Sequence, residues 1–125
     1  MDFSLASNEA LNWAINITQK LRAHLCIMFV YRMIPSRSGE LLDWKKNIEE
    51  ETLQRFSMLE KQNLSKSGVP FEFKIEIGFI NDRVRDYARK NDLLFVVMDR
   101  KANINNTESI DELLTFLHVP LLLFP

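Results

Sequence analysis

The side chains best suited to chemistry in this chain are two aspartates and a basic pair. Asp2 opens the triplet Asp2-Phe3-Ser4, and Asp99-Arg100-Lys101 follows the apolar run Leu93-Leu94-Phe95-Val96-Val97-Met98. Six consecutive apolar residues between polar neighbours predict a strand buried on both faces, as in the centre of a parallel sheet. Ligands of an open parallel sheet bind outside the carboxyl ends of its strands, so Asp99, Arg100 and Lys101 stand where a functional loop belongs. Arg100 and Lys101 offer an anion site there; otherwise they are ordinary loop charges. Asp2 and Asp99 could meet at the same place as a carboxylate pair, which does acid–base work only where the two pKa values are split. No residue nearby implies such a split, and Asp2, Ser4 and Ser7 read more simply as caps of a first helix.

Other chemistries lack their residues. His24 and His118 sit at helix ends, where positive charge complements the helix dipole, and they have no metal-ligand spacing. The single cysteine, Cys26, lies in the apolar run Leu25 to Tyr31 and reads as a small buried hydrophobe. With 16 basic and 17 acidic residues and a formal net charge of -1, no summed field draws the protein to nucleic acid or to an anionic membrane. No apolar run approaches the roughly 18 residues that span a bilayer, and no secretion signal opens the chain, so a cytoplasmic location is expected. A chain of 125 residues makes one domain, covering 1–125.

These candidate residues have to be held by a regular scaffold. A helix is predicted from about Ser7 to Ala23, with Ala10, Leu11, Ala14, Ile15, Thr18 and Leu21 on one stripe. Trp13 lies beside that stripe and is expected to be partly exposed, as at an interface. Leu25 to Tyr31 reads as a second buried strand. A long helix from about Leu41 to Leu64 follows, its inner stripe formed by Leu41, Trp44, Ile48, Thr52, Phe56 and Leu59. Phe71 to Ile77 alternates apolar with charged residues, the pattern of a sheet edge. A short helix from about Asn81 to Lys90 turns Val84, Tyr87 and Ala88 inward and pairs Asp82 with Arg85 and Asp86 with Arg89. After the Leu93 run, Ser109 and Glu112 form a capping box for a helix reaching His118. Leu121-Leu122-Leu123-Phe124 closes the chain as a short strand between prolines. The order α-β-α-β-α-β-α-β with helical crossovers implies an α/β three-layer sandwich around a parallel sheet.

Read together, these pieces resemble the universal stress protein family. They are Asp2-Phe3-Ser4 before an alanine-bearing helix, a strand ending near Pro35, a long charged helix, Phe71 to Gly78, Asp82 to Ala88 before Asn91-Asp92-Leu93, Val96-Val97-Met98, and Val119-Pro120-Leu121-Leu122-Leu123. The resemblance implies a Rossmann-like, adenine nucleotide alpha hydrolase-like fold whose first strand is central, and dimerisation through the last strand. It also implies that Asp2 stands near an adenine and ribose.

The chain departs from the family pattern in two places. In the family an apolar strand runs into the Asp-x-Ser segment, and here only Met1 precedes Asp2. A central slot is then empty, and unpaired buried backbone groups are costly. A start downstream of a longer natural chain, closure of the flanking strands into the order Phe71, Leu25, Leu93, Leu121, or pairing by a partner chain would each resolve it. The second departure is the loop. ATP-binding members carry G-x2-G-x9-G-S/T after the fourth strand, where backbone amides reach the phosphates. All three glycines of this chain lie before residue 79. Glu108, Asp111 and Glu112 instead bring carboxylates to the helix terminus that would receive the phosphates.

The expectation is therefore a non-enzymatic universal-stress-like domain that acts by protein contacts in stress response and does not bind ATP. It would be a homodimer through Leu121, Leu122, Leu123 and Phe124, without metal or cofactor. The alternative is an ATP- or AMP-binding sensor using Asp2, Asp99, Arg100 and Lys101.

Overall fold

Two short parallel ladders form the middle of the computed structural model, which describes residues 1–32, 38–99 and 108–124, without the side chains of residues 5, 6, 38–43 and 124. In the first ladder β1 (Leu25–Tyr31) pairs in parallel with β2 (Phe71–Ile77), Leu25 opposite Phe71 and Tyr31 opposite Ile77. In the second, β3 (Val96–Asp99) pairs in parallel with β4 (Leu121–Phe124), Val96 opposite Leu121. The expected α/β alternation is present. Closure of the flanking strands is not: among the described residues β1 bonds only β2 and β3 bonds only β4.

Helix α1 (Leu5–Leu21) holds the two ladders together by packing on β1, β3 and β4. It begins earlier than its periodicity predicts, because Ser4 rather than Ser7 is the N-cap, its hydroxyl accepting from the Ser7 amide at 3.2 Å. Its buried stripe of Ala10, Leu11, Ala14, Ile15 and Thr18 matches the sequence reading, whereas Leu21 is exposed. Helix α2 (Ser38–Leu59) runs on through a π-helical turn, Glu60–Leu64, and one more turn to Ser67. Gly68 stops it at φ 71°, a left-handed cap that a side chain would strain.

The main core lies on one face of the first ladder. Leu11 and Ile15 of α1, Ile27 of β1, Phe56, Leu59 and Leu64 of the long helix, and Val69 form one buried cluster. Phe56 stacks on Phe73 with ring centroids 3.9 Å apart and meets Phe71 edge-on at 5.9 Å. The apolar residues of β2 thus face the core, and its alternation marks the outer edge of the ladder, as expected. Thr52 and Phe56 are buried and Trp44 packs edge-on against Tyr31, which bears out the inner stripe of α2; the Leu41 side chain lies outside the described residues.

Helix α3 (Ile80–Lys90) covers the opposite face, and α4 (Ile110–Phe116) packs beside it. The Asp82–Arg85 pair forms at 3.3 Å, but Asp86 takes Arg83 at 3.0 Å rather than Arg89. α4 ends at Phe116, two residues before His118. The largest correction concerns the apolar run at 93–98. The strand begins at Val96, Leu94 is 61% exposed, and Val96 and Val97 are only half-buried. An all-apolar run is buried on both faces only where helices cover both, and the exposed Leu94 and half-buried Val96 and Val97 show that this cover is incomplete here.

Candidate functional site

Between the ladders lies an open cleft of about 520 Å³. Its walls are the facing edges of β1 and β3, α1 covers one side with Ala10, Leu11 and Ala14, and α3 covers the other with Ile80, Val84 and Tyr87. Asp2 and Asp99 both line its head.

The N-terminal turn is built from short polar side chains in the order that the local hydrogen bonds need. The Asp2 amide donates to Ser7 Oγ at 3.2 Å, and Asp2 Oδ1 accepts from the Ser4 amide at 2.9 Å. This Asx-type turn puts Phe3 at φ 64°, a left-handed conformation that bulky residues rarely adopt. Its ring packs against Phe29 at 5.7 Å, which holds the turn on β1. The Met1 amino group donates to Met28 O at 2.8 Å, and the Asp2 and Asp99 carboxylates both act on it electrostatically. The two aspartates are therefore brought to one place, as the topology implied. Asp99 is 6% exposed and Asp2 is exposed. Burial alone would raise the Asp2 carboxyl, but hydrogen bonds from Ser4 and the Met1 charge outweigh it and hold the pKa below its ordinary value. Asp2 is thus ionised at neutral pH and has no proton to give. Arg100 and Lys101, the other half of the expected anion site, lie outside the described residues.

The amino end of α4 is closed from within. Ser109 Oγ accepts from the Glu112 amide at 3.3 Å, and Asp111 and Glu112 occupy the first turn. Glu108 does not join them. Its carboxylate accepts from the Ile80 and Asn81 amides, each at 2.8 Å, and so caps α3. Arg32 approaches the same carboxylate at 3.7 Å, and Asn81 Nδ2 donates to Ser109 O at 2.9 Å. Sequence reasoning placed Glu108 with α4 and missed this role. The available signal was Phe79, which precedes α3 and has no side chain able to cap it, so a carboxylate had to come from elsewhere.

Cys26 is half-buried at the start of β1. Burial, with Glu72 close by, pushes its thiol up to about 11 despite a hydrogen bond with Tyr87. Tyr87 Oη donates to Glu72 Oε1 at 2.8 Å, and burial followed by that carboxylate raises the phenol as well. Among the described residues no three of His, Cys, Asp and Glu are grouped to hold a metal ion, and no helix is long and apolar enough to cross a membrane. Trp13 is 37% exposed and meets Phe95 edge-on at 6.3 Å. On β4, Leu122 and Leu123 are 37% and 41% exposed, while the Phe124 side chain lies outside the described residues.

Comparison with known proteins gives a consistent result. The model of the universal stress protein family matches residues 1–107. A protein of that family from Burkholderia pseudomallei superposes with a TM-score of 0.78 at 18% identity, covering 100% of this chain and 91% of the other. The universal stress protein UspA from Lactobacillus plantarum gives 0.71 at 16% identity, covering 100% and 93%. A universal stress protein from Archaeoglobus fulgidus in complex with dAMP gives 0.67 at 12% identity, covering 100% and 92%. No curated protein matches by sequence.

Proposed function

Because the chain belongs to the universal stress protein family, we propose that it is a non-enzymatic regulatory domain of that family, cytoplasmic, that acts through protein contacts and does not bind ATP. The observation that carries this reading is the amino end of α4, which follows the 93–99 segment and its loop. Its Ser109 cap and its Asp111 and Glu112 carboxylates already complement the helix dipole, so a triphosphate would meet repulsion there. The sequence supplies no glycine after residue 78 that would let backbone amides close on phosphates. Among the described residues, the Asp2 carboxyl at the head of the cleft is held ionised, and the thiol of Cys26 at the start of β1 is raised.

A second reading, nucleotide binding through Asp2, Asp99, Arg100 and Lys101, is favoured by the convergence of Asp2 and Asp99 and by the dAMP complex of the Archaeoglobus fulgidus relative. Thermal denaturation with ATP and with AMP separates the two. A ligand at about 100 times its dissociation constant stabilises a fold by about 2.7 kcal/mol. No shift in Tm is expected with either nucleotide; a clear shift, or nucleotide copurifying with the protein, would overturn the first reading.

A further inference from the structure

We propose that the outer edge of β2 receives an extended segment of a partner protein in which apolar residues alternate with a basic, an acidic and a basic side chain. Such a partner presupposes the protein-contact reading above and gives that contact a place. In a parallel ladder alternate residues turn both backbone groups to the same neighbour. The Leu25 amide donates to Pro70 O and the Gly78 amide donates to Tyr31 O, so Glu72, Lys74 and Glu76 serve β1. Phe71, Phe73, Ile75 and Ile77 therefore turn their amides and carbonyls outward, and among the described residues no strand meets them. No residue of β2 is fully buried, whereas Ile27 and Tyr31 are buried on β1.

A sheet edge is ordinarily guarded against pairing by a proline, a bulge, a short span or a charged side chain reaching past it. β2 runs for 7 residues in unbroken register with β1 and contains no proline. Two of its charged side chains are drawn back by one residue of α3. Tyr87 Oη donates to Glu72 Oε1 at 2.8 Å, and the Lys74 ammonium lies over the Tyr87 ring, 5.2 Å from its centroid. Because α3 packs on β1, both side chains lean away from the outer edge and leave its backbone groups accessible.

The charges on this strand select the occupant. Glu72, Lys74 and Glu76 alternate in sign and read the same in both directions. A partner with basic, acidic and basic side chains therefore meets opposite charges whether it pairs parallel or antiparallel. Its apolar residues extend the row of Phe71, Phe73, Ile75 and Ile77, which Phe56 anchors by stacking on Phe73 at 3.9 Å. A second copy fits poorly. Antiparallel pairing of β2 with itself in full register sets Glu72 against Glu76 and Lys74 against Lys74, like charges directly opposite. A shift that relieves this leaves an end of each strand unpaired.

The test uses the full chain at about 0.15 M salt, which screens distant charges. Two fluorescein-labelled peptides are compared, Val-Lys-Val-Glu-Val-Lys-Val and Val-Lys-Val-Lys-Val-Lys-Val. Anisotropy is expected to show saturable binding of the first and binding about fivefold weaker for the second, whose central lysine meets Lys74. Lys74→Glu is expected to reverse that preference. Hydrogen exchange gives a signature that pairing at this edge alone produces. On binding, the Phe71, Phe73, Ile75 and Ile77 amides slow by about tenfold or more, while the Glu72, Lys74 and Glu76 amides, already bonded to β1, change little. The exchange pattern is read on the unaltered protein and does not depend on the folding of the variant. No binding at about 1 mM peptide, equal affinity for the two peptides, a preference that folded Lys74→Glu leaves unchanged, or binding that slows no outward amide would each overturn the proposal. So would outward amides already slow without peptide, which would put a second copy on the edge. A shift in Tm with ATP would overturn the proposed function and leave these outcomes unchanged, so the two failures are read separately.

Discussion

Glu108 concentrates more of the tertiary structure in one carboxylate than any other described side chain. It accepts both leading amides of α3 and draws Arg32 to 3.7 Å, tying the end of β1 to α3 and to the start of α4. Removing it strands two amides in a site where the carboxylate itself is only 6% exposed. Glu108→Ala is expected to lower unfolding stability by about 2 kcal/mol in urea titrations, with Glu108→Gln intermediate; a loss below about 0.5 kcal/mol would refute the capping role. Cys26 makes a second prediction. Its folded pKa is raised from 9.0 to about 11, so its contribution to stability is fully present below pH 9.0 and is lost as pH rises through about 11. Tyr31 and Tyr87 are raised from 10.0 and lose their contributions in the same direction. Stability is thus expected to fall steadily above pH 9.0, and alkylation of the native thiol by iodoacetamide to stay slow until well above that pH. Rapid alkylation at neutral pH would contradict the burial that raises the thiol. Neither role was fully legible beforehand. Cys26 read as a small buried hydrophobe from its apolar neighbours and is only half-buried, whereas the partner of Glu108 lies 28 residues away in sequence and no local pattern encodes it.

At the scale of elements, legibility followed periodicity. The stripes of α1 and α2 were readable because three- and four-residue spacing is a property of the helix alone. The start of β3 was not, because burial of an apolar run depends on neighbours that the run does not specify. α4 offers a clean comparison of the two kinds of position. Leu113 is 0% exposed and its neighbour Leu114 is 49% exposed on the same short helix. Leu113→Ala is expected to cost about 3 kcal/mol in chemical denaturation, while Leu114→Ala stays within about 0.5 kcal/mol. Similar losses for both would mean that α4 packs on a different face.

For the whole molecule, the order of elements and the family were legible from the sequence, since alternating strands and helices leave few topologies open. The fate of the central slot was not, because pairing of β1 with β3 depends on whether the covering helices let the strands approach. Self-association is the prediction that belongs here. β4 carries Leu122 and Leu123 at 37% and 41% exposure on the outer edge of the second ladder, and an exposed apolar edge favours pairing with another copy. Light scattering at micromolar concentration is expected to show a dimer, and Leu123→Lys to shift it to monomer; a wild-type monomer would refute the interface. Finally, α1 is the helix that packs on both ladders, which share no hydrogen-bonded rung among the described residues. The ladders are therefore joined by α1 on one face and, on the other, by α3, which packs on β1 and is tied to α4 through Glu108 and Asn81. Under mild denaturant the β3–β4 unit, with two four-residue strands, should open before the β1–β2 unit with its seven-residue strands and larger core. Hydrogen exchange is then expected to show weaker protection of the β3 and β4 amides than of the β1 and β2 amides.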